Sequence, residues 1–222
     1  GNPDHQIEIY RALSGAGLPM MNNIQAALAA QDKFRSSFAF RQAGLPSPRV
    51  VTVQNFREGV SYLREMGEVV IKPIYGSLGE GIMRLSADDE GIFFLKRYLE
   101  RDGVAYLQKY IDKPNRDIRV FVIGGRAVAA VYRVASEGKW LTNIHCGARA
   151  LPCKLSSETE ALSIKAAASI GLDYTGVDII ETDRGPQVIE VNGSPHWQGV
   201  HQATGKDIAG LIVEHMLKRI ED

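Results

Sequence analysis

The sequence has little cysteine, no net charge and no long apolar run, and each lack removes a class of protein. Cys146 and Cys153 are the only two cysteines in 222 residues. They are too few for a disulfide framework and lack CxxC spacing, so a stapled secreted scaffold is excluded and a reducing compartment fits. Lysine plus arginine number 26, and aspartate plus glutamate also number 26. Such a chain does not hold nucleic acid by bulk charge, although a local basic pocket for phosphates stays open. No apolar stretch approaches the roughly 18 residues of a membrane span. Residues 1–20 show no apolar core behind a basic start, so no secretory leader is expected. A cytoplasmic location, with neither nucleic acid nor membrane as partner, is the resulting expectation. Internal repeats and low-complexity linkers are also missing.

What is present is ordinary globular composition, 45% hydrophobic and 23% charged, enough to bury a core in one large domain or two small ones. Ile7, Ile9, Tyr10 and Leu13 form a helical stripe across residues 5–16. Asn22 and Asn23 can cap a short helix over 24–30, and a longer helix starts near Asp32 and stops at Gly44. Pro46 and Pro48 forbid helix and lead into an extended 49–53, after which helix returns over 55–66. From residue 68 the pattern changes to strand (69–73), glycine-rich loop (74–81), strand (82–85), helix (88–101) and strand (104–110). Strands follow at 118–123 and 127–134 around Gly124-Gly125, then helix 156–170, strands 174–181 and 187–191, and a closing helix 207–219. Adjacent hairpins with interspersed helices favour an antiparallel α+β fold over a doubly wound parallel sheet.

Gly76, Gly79 and Gly81 reverse the order of a dinucleotide fingerprint and sit strand–loop–strand, so a Rossmann site is rejected, and no Gly-Lys-Ser/Thr marks a Walker loop. A small-residue loop between strands can fold its N–H groups over phosphates, or it can be a plain hairpin tip. Lys72, inside the apolar run before the loop, is either a phosphate-binding point charge or a strand-end lysine turned to water.

The last hairpin is more informative. Glu190 and Asn192 are two apart on a strand and share a face. With Asp183-Arg184-Gly185 as a three-residue loop, Thr182 pairs with Pro186 and Asp178 falls opposite Glu190. Opposed carboxylates repel, and a divalent cation relieves this with hard oxygen ligands; the other reading is a solvated polar edge. A two-residue loop shifts the register by one and breaks the argument. Arg116, Asp117, Arg119 and Arg133 form a salt-bridge ladder or an anion-binding floor. His145, His196 and His201 lack metal-ligand spacing. Cys146 beside His145 would face away from it on a strand, which argues against a thiol nucleophile, and no GxSxG elbow is present.

The ordered set of these segments resembles the ATP-grasp superfamily, and within it the RimK-like α-L-glutamate ligases of the ribosomal protein S6 modification type. The segments are Gln31–Arg35, Val70–Pro73 with its glycine loop, Leu107–Ile111, Arg116–Val120, Val128–Arg133, Gly176–Ile179 and Glu190–Pro195. The resemblance implies two α+β subdomains with nucleotide between two antiparallel sheets. It divides the chain into a helical lead-in (1–31), a subdomain with the glycine loop (32–108) and a subdomain with the metal site (109–222). It further implies a preceding domain that closes the acceptor site in full-length relatives and is missing here.

The resemblance assigns ATP contacts to Lys33, Lys72, Gly76, Ser77, Lys109, Tyr110, Asp117, Leu141, Thr142 and Asn143. It assigns Mg²⁺ (or Mn²⁺) to Asp178, Glu190 and Asn192, and catalytic charge neutralisation to Arg133 and Lys72. The chemistry implied is ATP-dependent joining of glutamate or a similar amino acid to an acceptor carboxylate, a peptide C-terminus or a small molecule, through an acyl phosphate. Other readings are a tetrahydromethanopterin- or F420-type cofactor glutamate ligase, an amino-acid-carrier-protein ligase, or an ATP-binding domain without turnover. A homo-oligomer is left open. Leu141 stands where the family usually has arginine, and Lys109 where it has glutamate. His196 and Trp197 stand where it has small residues, which points to a distinctive acceptor pocket formed by these two. Trp197 has a second reading, as a core anchor for the last helix.

Overall fold

The computed structural model describes residues 3–76, 79 and 81–221. A four-stranded antiparallel sheet has the order β1 (Val50–Val53), β4 (Ala105–Lys109), β2 (Glu68–Lys72), β3 (Met83–Ser86). Two amphipathic helices, α4 (Phe56–Met66) and α5 (Asp89–Asp102), cover one face. Each has its N-terminal N–H groups satisfied by a short polar side chain, Asn55 for α4 and Asp88 for α5. Val69, Ile71 and Leu107 turn toward Leu63 and Leu95 of those helices, and each such fully buried side chain stabilises by about 1.5–3 kcal/mol. Their neighbours Val70, Lys72, Tyr106 and Gln108 lie on the opposite face and are also buried, which places a lysine and an amide under the cleft.

The second sheet has five antiparallel strands in the order β7 (Arg149–Pro152), β6 (Arg126–Val134), β5 (Arg116–Ile123), β8 (Tyr174–Thr182), β9 (Gly185–Asn192). Alternation along β5 decides the architecture. Ile118, Val120 and Val122 pack against α6 (Ser157–Ile170), α2 (Ile24–Gln31) and α3 (Lys33–Gln42). Phe121 and Ile123 face the other way, with Ala129 and Val131 of β6, under α7 (Gln198–Thr204) and α8 (Ile208–Glu221). Asp117 and Arg119 share that second face but lie toward the start of β5. One sheet face is therefore apolar at one end and charged at the other.

The β8–β9 hairpin corrects the expected loop and keeps the expected pairing. The loop has two residues, since Thr182 pairs with Gly185 and not with Pro186. A β-bulge then places Ile189 as an extra residue, because Ile179 pairs with Val188 while Asp178 pairs with Glu190. Two departures of one residue each cancel. The bulge also lets Val188 and Val191, three positions apart, enter the same core.

The N-terminal helices belong with the second sheet. α1 (Pro3–Gly15) leads to Asn22, whose amide donates to Tyr174 O and Gly193 O and accepts from the N–H groups of Asp173 and Tyr174. Ala26, Ala30 and Phe40 sit in the core with Val177 and Val191. Helix α3, expected with the first subdomain, is thus packed into the second, and the division at residue 32 does not follow the packing. Strand β7, helix α7 and the 3-10 turn Ile144–Cys146 were not expected. The first two are short, and Pro152 at the end of β7 masks a strand signal. Among the described residues no helix is long and apolar enough to cross a membrane.

Candidate active site

The charged end of the five-stranded sheet is a closed network. Asp117 and Arg133 are cross-strand partners, and Arg133 donates to Asp117 through Nε at 2.7 Å and Nη2 at 2.6 Å. Arg119 and Asp178 are also partners, and Arg119 donates to Asp178 through Nε and Nη2, each at 2.7 Å. Arg133 Nη2 bridges to Asp178 Oδ2 at 2.9 Å, joining the two pairs. The Thr142 hydroxyl donates to Asp117 Oδ2. Burial works against charge on Asp178, but Arg119 and Arg133 overcome it and hold the carboxyl below the usual carboxylate range. Burial likewise opposes the Arg133 charge, and Asp117 and Asp178 together outweigh it and raise the guanidinium's pKa. Removing one partner of such a buried pair costs about 3–5 kcal/mol, so the network fixes the floor's geometry.

The repulsion expected between Asp178 and Glu190 is therefore answered for Asp178 by two arginines. Glu190 and Asn192 are left on the cavity side of the hairpin. The Asn192 amide donates Nδ2 to Gly176 O at 3.1 Å, which leaves its Oδ1 as the acceptor. Glu190 and the Asn192 amide oxygen are hard donors of the kind Mg²⁺ and Mn²⁺ take and they face the cavity, whereas both oxygens of Asp178, expected as a third ligand, are engaged by Arg119 and Arg133.

Above the floor lies a cavity of about 520 Å³. It brings together Lys33, Gly76, Arg133, Asn143, Glu190, Asn192 and His196 from the expected set, with Arg119 beside them. Lys33 Nζ donates to Gly76 O at 2.8 Å, tying α3 to the glycine loop. Gly76, Gly79 and Gly81 have φ of 136°, 85° and 68°, so the loop uses conformations that side chains with a Cβ resist. Ser77 lies outside the described residues, as do Leu78 and Glu80. Lys72 lies beneath, buried, with Nζ on Gln108 Oε1 at 2.7 Å. Burial pushes its pKa down, and Glu190 is the largest opposing influence.

Other expected residues do not line this cavity. Asp117, Thr142 and Asp178 form its underlying support. The N–H groups of Lys109 and Tyr110 are bonded to Arg49 O and Glu68 O, and Lys109 Nζ reaches Met66 O. Tyr110 lies under the Arg84 guanidinium at 3.7 Å and meets Trp140 edge-on at 6.3 Å, with Leu141 next in sequence. His196 enters the cavity, but Trp197 packs against the cluster of Phe121, Val200 and Ile208, the core-anchor alternative. Sequence reasoning left Arg119 undecided and passed over His145 and Gln198, all of which line the cavity. The alternation Asp117–Arg119 carried a signal for the first. The strand assumed for His145 is a 3-10 turn, so its orientation was not legible.

Two sheets meeting at a glycine loop, with charged groups rising from one of them, define an ATP-grasp enzyme. The RimK-like ATP-grasp domain model matches residues 30–216, and the chain belongs to that family. Tetrahydromethanopterin:alpha-L-glutamate ligase of Methanosarcina acetivorans is 34% identical, over 95% of this chain and 74% of the relative. A probable alpha-L-glutamate ligase of Legionella pneumophila strain Paris is 32% identical, over 95% of this chain and 71% of the relative. D-alanine–D-alanine ligase of Bacillus anthracis, solved with ATP, shares the fold with a TM-score of 0.76 at 21% identity, over 96% and 75% of the two chains. The ATP-grasp ligase PsnB, solved with a precursor peptide and AMPPNP, has a TM-score of 0.74 at 22% identity, over 99% and 68%. The α+β fold and the class of ATP-dependent ligase are as the sequence led us to expect.

Proposed function

We propose that this protein joins the amino group of glutamate, or a closely similar amino acid, to an acceptor carboxylate at the expense of ATP. The observation that carries the reading is the cavity itself, where Lys33, Arg119 and Arg133 face Glu190 and Asn192. Cations on one side suit phosphate and carboxylate, and oxygen donors on the other suit the divalent ion that accompanies ATP. The acceptor carboxylate attacks the γ-phosphate, giving an acyl phosphate and ADP; the amine then attacks the acyl carbon and phosphate leaves. Arg133, locked by Asp117 and Asp178, is held ready to offset negative charge on the acyl oxygen and phosphate. Lys72 and Lys33 add positive charge from beneath and beside the loop. Glu190 and Asn192 would hold Mg²⁺, with Asp178 fixing the arginines beneath them, and the ion would supply charge neutralisation between phosphates. The glycine loop would offer its N–H groups to the phosphates.

Glutamate as amine donor is supported by relatives named as glutamate ligases. A pterin-type cofactor tail is the first acceptor to test, because relatives sharing 30–34% identity are named for it. ADP release should be measured with Mg-ATP, glutamate and a panel of carboxylates: a tetrahydromethanopterin-type cofactor, α-L-glutamyl-L-glutamate and longer glutamate-ended peptides. Release that needs both glutamate and one acceptor supports the proposal. Nucleotide binding without acceptor-dependent ADP across the panel would favour a binding domain.

A further inference from the structure

We infer that His145 is the group that takes the proton from the incoming amine. This rests on the ligase reading and adds a step that the floor and phosphate groups leave unserved. An amino acid's nitrogen is mainly ammonium at neutral pH and has no lone pair to attack with. Among the described residues, the cavity's charged and titratable groups are Lys33 from α3, Arg119 from β5, Arg133 from β6, Glu190 from β9, His145, and His196 before α7. The lysine and arginines are cationic, and Glu190 is assigned to the divalent ion. That leaves two imidazoles, the side-chain type suited to accepting a proton near neutral pH.

His145 is favoured because its turn is fastened to the reaction floor. The turn Ile144–Cys146 begins after Thr142, whose hydroxyl is bonded to Asp117, which in turn holds Arg133 in a two-point grip. Its far end is closed by the Gly147 N–H to Ile144 O at 2.9 Å, and by the Ser136 hydroxyl to Gly147 O at 2.8 Å. The imidazole is exposed and has no protein partner among the described residues, while its neighbour Asn143 lines the same cavity. No comparable chain of bonds joins His196 to Arg133 among the described residues. In the step inferred, one ammonium proton passes to the imidazole. The freed lone pair bonds to the acyl carbon, the carbon–oxygen bond to phosphate breaks with its electrons going to phosphate, and a second amine proton departs with the phosphate.

The test compares glutamate with hydroxylamine, an amine largely uncharged at neutral pH that needs no base. Wild-type, His145→Gln and His196→Gln proteins are assayed with Mg-ATP and the acceptor panel above, reading amide and hydroxamate product. The expected result for His145→Gln is a loss of about a hundredfold or more with glutamate, with hydroxamate formation within about threefold of wild type and an unchanged melting temperature. In wild type the glutamate rate should have an acidic limb that His145→Gln removes, and imidazole should partly rescue His145→Ala. Equal loss with both amines, no loss with either, or the split appearing in His196→Gln instead would overturn the assignment. Absence of ATP-dependent hydroxamate from wild type with every acceptor would count against the ligase reading itself.

Discussion

Two hairpins shape the site, and they do it by opposite means. The β2–β3 hairpin offers backbone: its loop is glycine-rich, its glycines sit at positive φ, and a buried charged side chain, Lys72, lies at the base. The β8–β9 hairpin offers side chains: Asp178, Glu190 and Asn192, placed by a bulge and, for Asp178, held by Arg119 and Arg133. A backbone cradle adapts to phosphate and is sensitive to any added Cβ. A side-chain array fixes charge in place and is sensitive to any lost partner.

The largest effect should come from breaking the array at its most buried member. Asp178→Asn should destabilise the protein by about 3 kcal/mol or more at pH 7, because Arg119 and Arg133 lose a shared partner. Asp178's pKa is depressed in the folded state. Its contribution is therefore fully present above the unfolded value of about 3.9 and is lost as pH falls through the folded one. Urea unfolding should show the gap between wild type and variant closing below about pH 4; a constant gap would contradict the pairing.

Glu190→Ala should cost about a hundredfold or more in Mg²⁺-dependent turnover while leaving the fold intact. Steady-state kinetics beside calorimetry would check both halves. Trp197→Gly is a control outside both hairpins. It should lose about 2 kcal/mol of stability through lost packing and shift ATP and acceptor affinity little in the protein that remains folded. A clear change in acceptor KM with intact stability would return Trp197 to the pocket. Gly79→Val is expected to be mildest, at about tenfold in turnover, since a β-branched residue resists the φ of 85° found there. A lowered melting temperature with unchanged nucleotide affinity would make the loop a mere tip.

The same contrast explains what could be read from sequence. Strand alternation is a local rule and gave the shared face of Glu190 and Asn192, whereas the Asp178–Glu190 pairing came from a loop count one residue too long that the unforeseen bulge at Ile189 offset. The cap at Asn23, the glycine stop at Gly44 and the breaks at Pro46 and Pro48 placed the early helices for the same reason, and the structure adds caps at Asp32, Asn55 and Asp88. Long-range partners were not legible. The salt-bridge ladder read for Asp117 and Arg133 forms, but nothing local announces that Asp178 would join it, that Gln108 would take Lys72, or that α3 would pack with the second sheet. His145 was missed because its orientation depends on a turn that Thr142 and Ser136 pin from elsewhere in the fold.

The central claim is that an acceptor carboxylate is phosphorylated in the cavity above Arg133. The most direct test uses an acceptor whose carboxylate carries ¹⁸O at both oxygens, with Mg-ATP and glutamate, and examines the released phosphate by mass spectrometry. The account predicts one labelled oxygen in each phosphate, because the carboxylate oxygen that attacks the γ-phosphorus leaves with it. Turnover that releases unlabelled phosphate would contradict it.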